Sequence, residues 1–315
     1  MDSKLYRFGS HVSCAGGLLK GIERAVDVGC DCIQVFVSSP RQWPTVESYI
    51  PVSLSTKNNN QWNCKPIRDS DSAQFLKAIE QAQLVEPIAH SSYLINCASP
   101  DDTLWDKSLE ALVIEWQRCE QLQLSGLVIH PGAHTTSTPQ QGLERIALAV
   151  QTAIARVEPQ TCKLLLENTA GQGSNLGWQI EQLSWLLAEI DSPHVGICWD
   201  TCHALAAGYD FRTARGLKEM IQQLEQQSVL PQIAAIHIND SKKECGSRVD
   251  RHEHIGLGHI GEEGFQRFLR SQAFKKLPMF LETPKEADPD SGIEWDVKNL
   301  ATLRRLAGLQ PRPVA

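Results

Sequence analysis

No CxxC pair occurs anywhere in the 315 residues, although ten of them are cysteine. That excludes a zinc ribbon and a thioredoxin-type redox site. The nearest pairs are Cys30 with Cys32 and Cys198 with Cys202. Others, such as Cys119 and Cys162, sit inside apolar runs, where reduced, buried thiols of a cytoplasmic protein are expected. Apolar runs of about eighteen residues are also missing, which excludes a membrane-spanning helix. The stretch from Met1 to Tyr6 is polar and lacks the core of a signal peptide, so no export is expected. Positive charge is short as well: 30 Lys and Arg stand against 37 Asp and Glu, a formal net charge of −7. Taken alone, that deficit argues against a nucleic-acid partner, because phosphate contacts draw on positive charge. The sum leaves out any bound metal, however, and binding depends on the local field.

What is present is enough apolar matter for a full core, 42% of the residues, arranged as short apolar runs alternating with longer amphipathic ones. The candidate strands are Arg7–Val12, Cys32–Val37, Pro87–His90, Leu127–His130, Lys163–Glu167, Val195–Asp200, Ile233–Ile238 and Met279–Glu282. Most are too short for helices and carry β-branched residues, as parallel strands buried on both faces do. Helices are predicted over Leu18–Val28, Ala73–Leu84, Asp101–Leu122, Gln140–Arg156, Gln179–Glu189, Thr213–Gln227, Gly264–Ser271 and Glu294–Leu306. In the third of these, Leu109, Leu112, Val113 and Trp116 fall at i, i+3, i+4 and i+7 and form one apolar face. Eight strand–helix units spell a single (β/α)8 TIM barrel over residues 1–307, although a doubly wound sheet gives a similar alternation. The stretch Pro44 to Pro66, with its run of three Asn, is expected to be a long loop. Residues 308–315 are expected to be a loose tail.

The chemistry is suggested by what ends the strands. His90, His130, Glu167, Asp200 and Glu282 each terminate a candidate strand, and His237 lies one residue from the end of another. In a TIM barrel these ends share one mouth, the active-site face. A carboxylate ending an apolar strand is costly unless something pairs with it. No Lys or Arg stands at these positions, so the expected partner is a cation. Mixed imidazole and carboxylate ligands suit zinc, manganese or iron. His203, three residues after Asp200, and the pair Asp250 and His252 in the loop after the seventh strand bring the candidates to nine. That is too many for one ion and fits a multinuclear site. Any one of these histidines could be structural, but independent structural roles would not place such residues repeatedly at strand ends.

Longer motifs accompany the ligands. They include His11-Val12-Ser13, Pro40-Arg41-Gln42-Trp43, His90-Ser91-Ser92-Tyr93-Leu94-Ile95-Asn96 and His130-Pro131-Gly132-Ala133-His134. Further along come Leu166-Glu167-Asn168-Thr169-Ala170-Gly171, Asp200-Thr201-Cys202-His203, His237-Ile238-Asn239-Asp240, Arg248-Val249-Asp250-Arg251-His252 and Leu281-Glu282-Thr283. With these the chain resembles the endonuclease IV family, the zinc-dependent apurinic/apyrimidinic endonucleases, from about Phe8 to Glu282. The resemblance implies a xylose-isomerase-like TIM barrel with three zinc ions, manganese being able to stand in at one of them. His90, His130 and Glu167 would hold the first ion. Glu167 would bridge to a second, held also by Asp200, His237 and Glu282, and His203, Asp250 and His252 would hold the third. Four carboxylates against three dications leave the rim net positive, which reconciles an acidic chain with a phosphodiester substrate.

The activity so implied is that of a deoxyribonuclease IV, a monomeric base-excision-repair enzyme of the cytoplasm and the bacterial nucleoid. It would hydrolyse the phosphodiester 5′ to an abasic site in double-stranded DNA and leave a 3′-hydroxyl and a 5′-deoxyribose phosphate, with Glu167 as the catalytic ligand. It would also trim blocked 3′ ends. Arg41, Tyr93 and Leu94 match the family's DNA-inserting positions. Ser39 departs from the family's commoner Asn before the Pro-Arg pair, and the stretch 44–66 is longer than the family pattern. His11 and His134 are expected to support the ligands, His254 and His259 to support the loop around Asp250, and His194 to be structural. Cys198 and Cys202 lie near ligands but are not used by the family. The alternative is a metal-dependent sugar isomerase or epimerase of the same barrel class, whose one or two metals would not account for His203, Asp250 and His252.

Overall fold

The computed structural model describes residues 6–41, 43–44 and 67–310. Except for Pro44, the expected loop of residues 44–66 lies outside the described residues, as do residues 311–315 of the expected tail. Among the described residues no helix is long and apolar enough to cross a membrane.

Eight parallel strands close into a barrel in the spatial order β1, β10, β7, β6, β5, β4, β3, β2. They are β1 (Arg7–His11), β2 (Cys32–Phe36), β3 (Val85–His90), β4 (Gly126–Ile129), β5 (Lys163–Glu167), β6 (Val195–Asp200), β7 (Ile233–His237) and β10 (Pro278–Leu281). Between β7 and β10 a two-stranded antiparallel ribbon, β8 (Asp240–Ser241) and β9 (His252–Glu253), stands apart from the barrel. The helices are α1 (Leu18–Asp27), α2 (Asp69–Gln81), α3 (Asp102–Gln121), α4 (Pro139–Val157), α5 (Ile180–Ile190), α6 (Thr201–Ala207), α7 (Ala214–Gln226), α8 (Gly261–Arg270) and α9 (Trp295–Leu306).

The eight predicted strands and eight predicted helices are all present, with shifted ends. Helix α2 starts four residues before the predicted Ala73, because the Asp71 carboxylate in its first turn accepts the Arg68 backbone N–H at 3.4 Å and the Arg68 guanidinium at 3.0 and 3.1 Å. Helix α6 is an addition. The Asp200-Thr201-Cys202-His203 segment is both the end of a strand and the start of a short helix, and Asp200 caps it by accepting the His203 N–H at 2.7 Å.

Two apolar clusters share the interior. The larger lies between strands and helices, around Trp116, Trp199, Phe8 and Phe265. The smaller takes one residue from each of seven strands: Cys32, Ile88, Val128, Leu165, Cys198, Ala235 and Phe280. It fills the barrel itself. Strand β1 offers Gly9 at the matching level, where an added Cβ would lie 1.9 Å from the Cys32 carbonyl oxygen.

That plug fixes the site above it. Side chains alternate along a strand, so the residue two positions further on points the same way. Two residues after the plug come Gln34, His90, His130, Glu167, Asp200, His237 and Glu282, and two after Gly9 comes His11. Every strand thus adds a polar side chain to one layer, capping an apolar one.

Candidate metal centre

The structure brings all nine candidate ligands to the C-terminal mouth. Four groups have ligand atoms within 4.8 Å of one another: His90, His130 and Glu167; Glu167, Asp200, His237 and Glu282; Asp200, His203 and His252; and Cys202, Asp250 and His252. Glu167 belongs to the first two, and Asp200 joins the second to the third. His130 and Glu282 lie one residue past their strands, and His237 ends its own. His203 is carried by α6, His252 by the ribbon and Asp250 by the loop inside it. Burial is graded: Glu167, Asp200 and His237 are 0% exposed, while the Asp250 side chain is 40% exposed. The mouth opens into a cavity of about 800 Å³ lined also by Lys242, Arg251 and Lys285.

Hydrogen bonding fixes which ring nitrogens face inward. His90 Nδ1 meets the Ser91 carbonyl at 2.9 Å, His203 Nδ1 the Asn168 carbonyl at 2.8 Å and His252 Nδ1 the Glu282 carbonyl at 3.2 Å. A carbonyl can only accept, so each Nδ1 carries its proton and each Nε2 of the neutral ring presents a lone pair. His237 is turned round. Its Nε2 donates to Gln34 Oε1 at 2.8 Å, and its Nδ1 faces Glu167 Oε1 at 2.9 Å and Glu282 Oε2 at 3.0 Å. Similarly, His90 Nε2 lies 3.2 Å from Glu167 Oε2, and His203 Nε2 lies 3.2 Å from Asp250 Oδ1. His203 Nε2 and His252 Nε2, both buried, make no hydrogen bond despite these near carboxylates.

Lone pair against lone pair is repulsive unless a proton or a metal ion lies between. Without a metal, the balance falls to protons. Burial pushes the Glu167 carboxyl up, but His237 and His130 outweigh it and hold it well below the usual range. Burial pushes the His203 imidazole down, and Asp200 and Asp250 overcome that and raise it well above its usual range. Among the described residues none of Glu167, Asp200, Asp250 and Glu282 pairs with a Lys or Arg. Imidazoles pinned by carbonyls, with unpaired nitrogens aimed at carboxylates, are the arrangement in which histidines bind a metal. The residues therefore fit a cluster of divalent cations.

Sequence reasoning missed the supports. Gln34, fully buried, donates from Nε2 to Glu282 Oε1 at 2.7 Å while its Oε1 holds His237. The signal was available: a lone Gln in the apolar strand Cys-Ile-Gln-Val-Phe, at the parity of the inward face. Asn239 donates to Asp200 Oδ2 at 2.7 Å and accepts the Glu282 N–H at 2.7 Å. Asn168 accepts the Asp200 N–H at 2.6 Å. Gln34→Leu keeps much of the volume and removes both contacts, so zinc affinity at the inner site and activity are each expected to fall roughly 10–100-fold. A zinc-competition titration with unchanged affinity would contradict this.

The remaining histidines lie outside the four groups. His11 Nδ1 lies 3.2 Å from Glu282 Oε1 and 3.0 Å from Gln34 Nε2. His134 Nδ1 donates to the Ser137 carbonyl at 2.7 Å. His254 stacks on Trp295 with centroids 3.9 Å apart and ties the loop after the ribbon to α9. His259 is exposed, and His194 precedes β6 at the far end of the barrel. Cys202, set aside on sequence grounds, has its sulfur within the group of Asp250 and His252. Eight of the nine described cysteines are buried, and Cys245 is half-buried.

Around the mouth, Tyr93 is 61% exposed and packs edge-on against Phe36 at 5.6 Å. Leu94 is half-buried and Arg41 exposed. Their two loops are joined, because the Tyr93 N–H and the Ser92 hydroxyl both donate to the Pro40 carbonyl, at 3.3 and 3.2 Å. From below, the fully buried Glu115 accepts the Ser92 N–H at 3.0 Å through Oε2, and its Oε1 has no hydrogen bond. Burial pushes the Glu115 carboxyl up from 4.5 to about 7. A raised carboxyl gives stability that is complete below the unfolded value and is lost as pH climbs through the folded one. Glu115→Gln does not titrate, so its stability relative to the natural protein is expected to improve by about 3 kcal/mol between pH 4 and pH 8. Denaturant unfolding at both pH values checks this, and an equal difference at each would refute it.

A barrel whose eight strands converge on one polar, metal-competent layer is a xylose-isomerase-like TIM barrel, and the profile of that family matches residues 22–303. Within this class the chain belongs to the endonuclease IV family. It is 41% identical over 299 residues to the probable endonuclease 4 of Trichlorobacter lovleyi, covering 95% of this chain and 98% of that one. Against the probable endonuclease 4 of Chloroflexus aurantiacus it is 40% identical over 301 residues, covering 95% and 98%. The crystal structure of endonuclease IV from Thermus thermophilus superposes with a TM-score of 0.78 at 30% identity, covering 96% of this chain and 99% of that one. A D-tagatose 3-epimerase-like protein superposes with a TM-score of 0.68 at 18% identity, covering 96% and 97%, and shares the fold alone. The sugar-isomerase alternative also leaves the candidate ligands on α6 and the ribbon without a task.

Proposed function

We propose that this chain is a zinc-dependent endonuclease that hydrolyses the phosphodiester 5′ to abasic sites in duplex DNA. The products are a 3′-hydroxyl and a 5′-deoxyribose phosphate, and the same site trims blocked 3′ ends. The observation that carries this reading is the row of imidazole nitrogens facing unpaired carboxylates, with Glu167 common to two groups. In the assignment we favour, His90 and His130 hold one ion with Glu167. Asp200, His237 and Glu282 hold a second with it, and His203, Asp250 and His252 hold a third. Zinc bound there would activate water at neutral pH and neutralise the phosphoryl oxygens.

The chain's own groups supply the rest. Asn239 orients the Asp200 carboxylate, and Gln34 holds His237 and Glu282 in place. Lys242 and Arg251, at the edge of the cavity, extend a positive field toward the flanking phosphates. The acidic surface elsewhere disfavours DNA, so binding concentrates at the mouth. An abasic nucleotide has no base to unstack, which lowers the cost of turning it into the cavity. Arg41, Tyr93 and Leu94 stand where they can fill the gap it leaves. The closed barrel exposes no strand edge that a second copy must cover, and the enzyme acts as a monomer.

Two assays test this. Purified protein is incubated with a duplex carrying one abasic site and with the intact duplex. Cutting of the first alone, at the 5′ phosphate, is expected, and a sugar epimerisation without any nicking would overturn the reading. Replacing Tyr93 and Leu94 together by Ala is expected to weaken abasic-duplex affinity about 10–100-fold, the scale of lost stacking contacts, with metal content unchanged. Equal affinity would remove them from the interface.

A further inference from the structure

Asp240 is outside the ligand set, yet its buried carboxylate gathers five backbone N–H groups. Oδ1 accepts from Ser241 and Ile260 at 2.8 Å each, and Oδ2 from Gly256 and Gly258 at 3.0 Å and Gly261 at 3.2 Å. Hydrogen bonds to a charged acceptor are about twice as strong as neutral ones. The turn can close on the carboxylate because of its glycines. Gly256 has φ +86°, and at Gly258 a Cβ would lie 2.5 Å from Asp240 Oδ1.

Asp240 also begins β8, which pairs with β9 in the register Asp240 to Glu253 and Ser241 to His252. The chain entering the ribbon and the turn leaving it are thereby tied together at one carboxylate. The ribbon carries His252 and, in its loop, Asp250. His252 Nε2 makes no hydrogen bond of its own, so its aim rests on the Nδ1 contact and on the backbone that carries it. We propose that Asp240 is a positioning residue for the outermost metal site: by binding the 256–261 turn to the base of the ribbon, it sets His252 and Asp250 against His203. This rests on the metal-dependent reading of the mouth.

The test uses the full chain loaded with zinc, and the variant Asp240→Asn, which keeps the size but turns one acceptor into a donor facing N–H groups. The variant is expected to hold two zinc ions tightly instead of three. Affinity for the third should fall about 10–100-fold, with the inner two unchanged. Cutting of an abasic duplex should be lost at limiting zinc and regained in excess zinc, a rescue that a merely structural role would not give. Gly258→Ala, which drives the turn off the carboxylate while keeping Asp240, is expected to show the same selective loss and decides the matter if Asp240→Asn does not fold. In the metal-free natural protein, the amides of Gly256, Gly258, Ile260 and Gly261 should exchange slowly, and rapid exchange there overturns the proposal without any variant. A folded variant that binds three zinc ions with natural affinities overturns this inference alone. A natural protein that binds no zinc overturns the reading beneath it as well.

Discussion

Glu167→Gln is expected to reduce abasic-site cutting by about a thousandfold or more, while leaving the barrel folded. The side chain is fully buried and has one oxygen toward His90 and His130 and the other toward His237 and His203. Glutamine fits the same space but offers one oxygen and an amide donor, so it cannot serve both groups. Each tenfold in rate is about 1.4 kcal/mol, and a lost bridge between two ions withdraws several kcal/mol of charge stabilisation from the phosphoryl group. Circular dichroism should be unchanged and metal content reduced. A folded Glu167→Gln protein with full activity would remove the bridge from the account.

Stripping the metal is the second large effect. An ion at a thousand times its dissociation constant stabilises the folded state by about 4 kcal/mol. Three such ions give about 12 kcal/mol, and in a chain of this length each kcal/mol shifts the melting midpoint by about 1–2 °C. Dialysis against phenanthroline is therefore expected to lower the midpoint by roughly 10 °C or more and to abolish cutting, and returned zinc should restore both. The physical reason is the buried cluster itself: with the cation gone, Glu167, Asp200 and Glu282 must be offset by protons on the imidazoles. An emptied protein with the same midpoint would mean that the carboxylates are satisfied in some other way.

The barrel was legible because its strands are buried on both faces and read as short apolar runs, and because five of the eight runs end on a histidine or a carboxylate. The candidate ligands from β3, β4, β5, β6, β7 and β10 follow one rule of parity, two positions beyond the plug that fills the barrel. Gln34 obeys the same rule and was overlooked, because an amide is not a ligand type and sits inside its strand rather than at its end. Helix α6 escaped for a different reason: seven residues, Thr201–Ala207, are too few to show an apolar period, and its start is written in a cap that is also a candidate ligand. The ribbon of β8 and β9 is two residues per strand and is held by Asp240 rather than by apolar burial, so no hydrophobic pattern announces it. His203, Asp250 and His252 could be grouped from the sequence only through the family's motifs, since nothing in their spacing brings the ribbon to α6.

The most direct measurement is an anomalous difference map, collected at the zinc absorption edge from crystals of protein purified without added chelator and shown to cut abasic duplex. The account predicts peaks at the mouth of the barrel, between His90, His130 and Glu167, between Glu167, Asp200, His237 and Glu282, and between His203, Asp250 and His252. A fully active protein with no anomalous density at that mouth would contradict it.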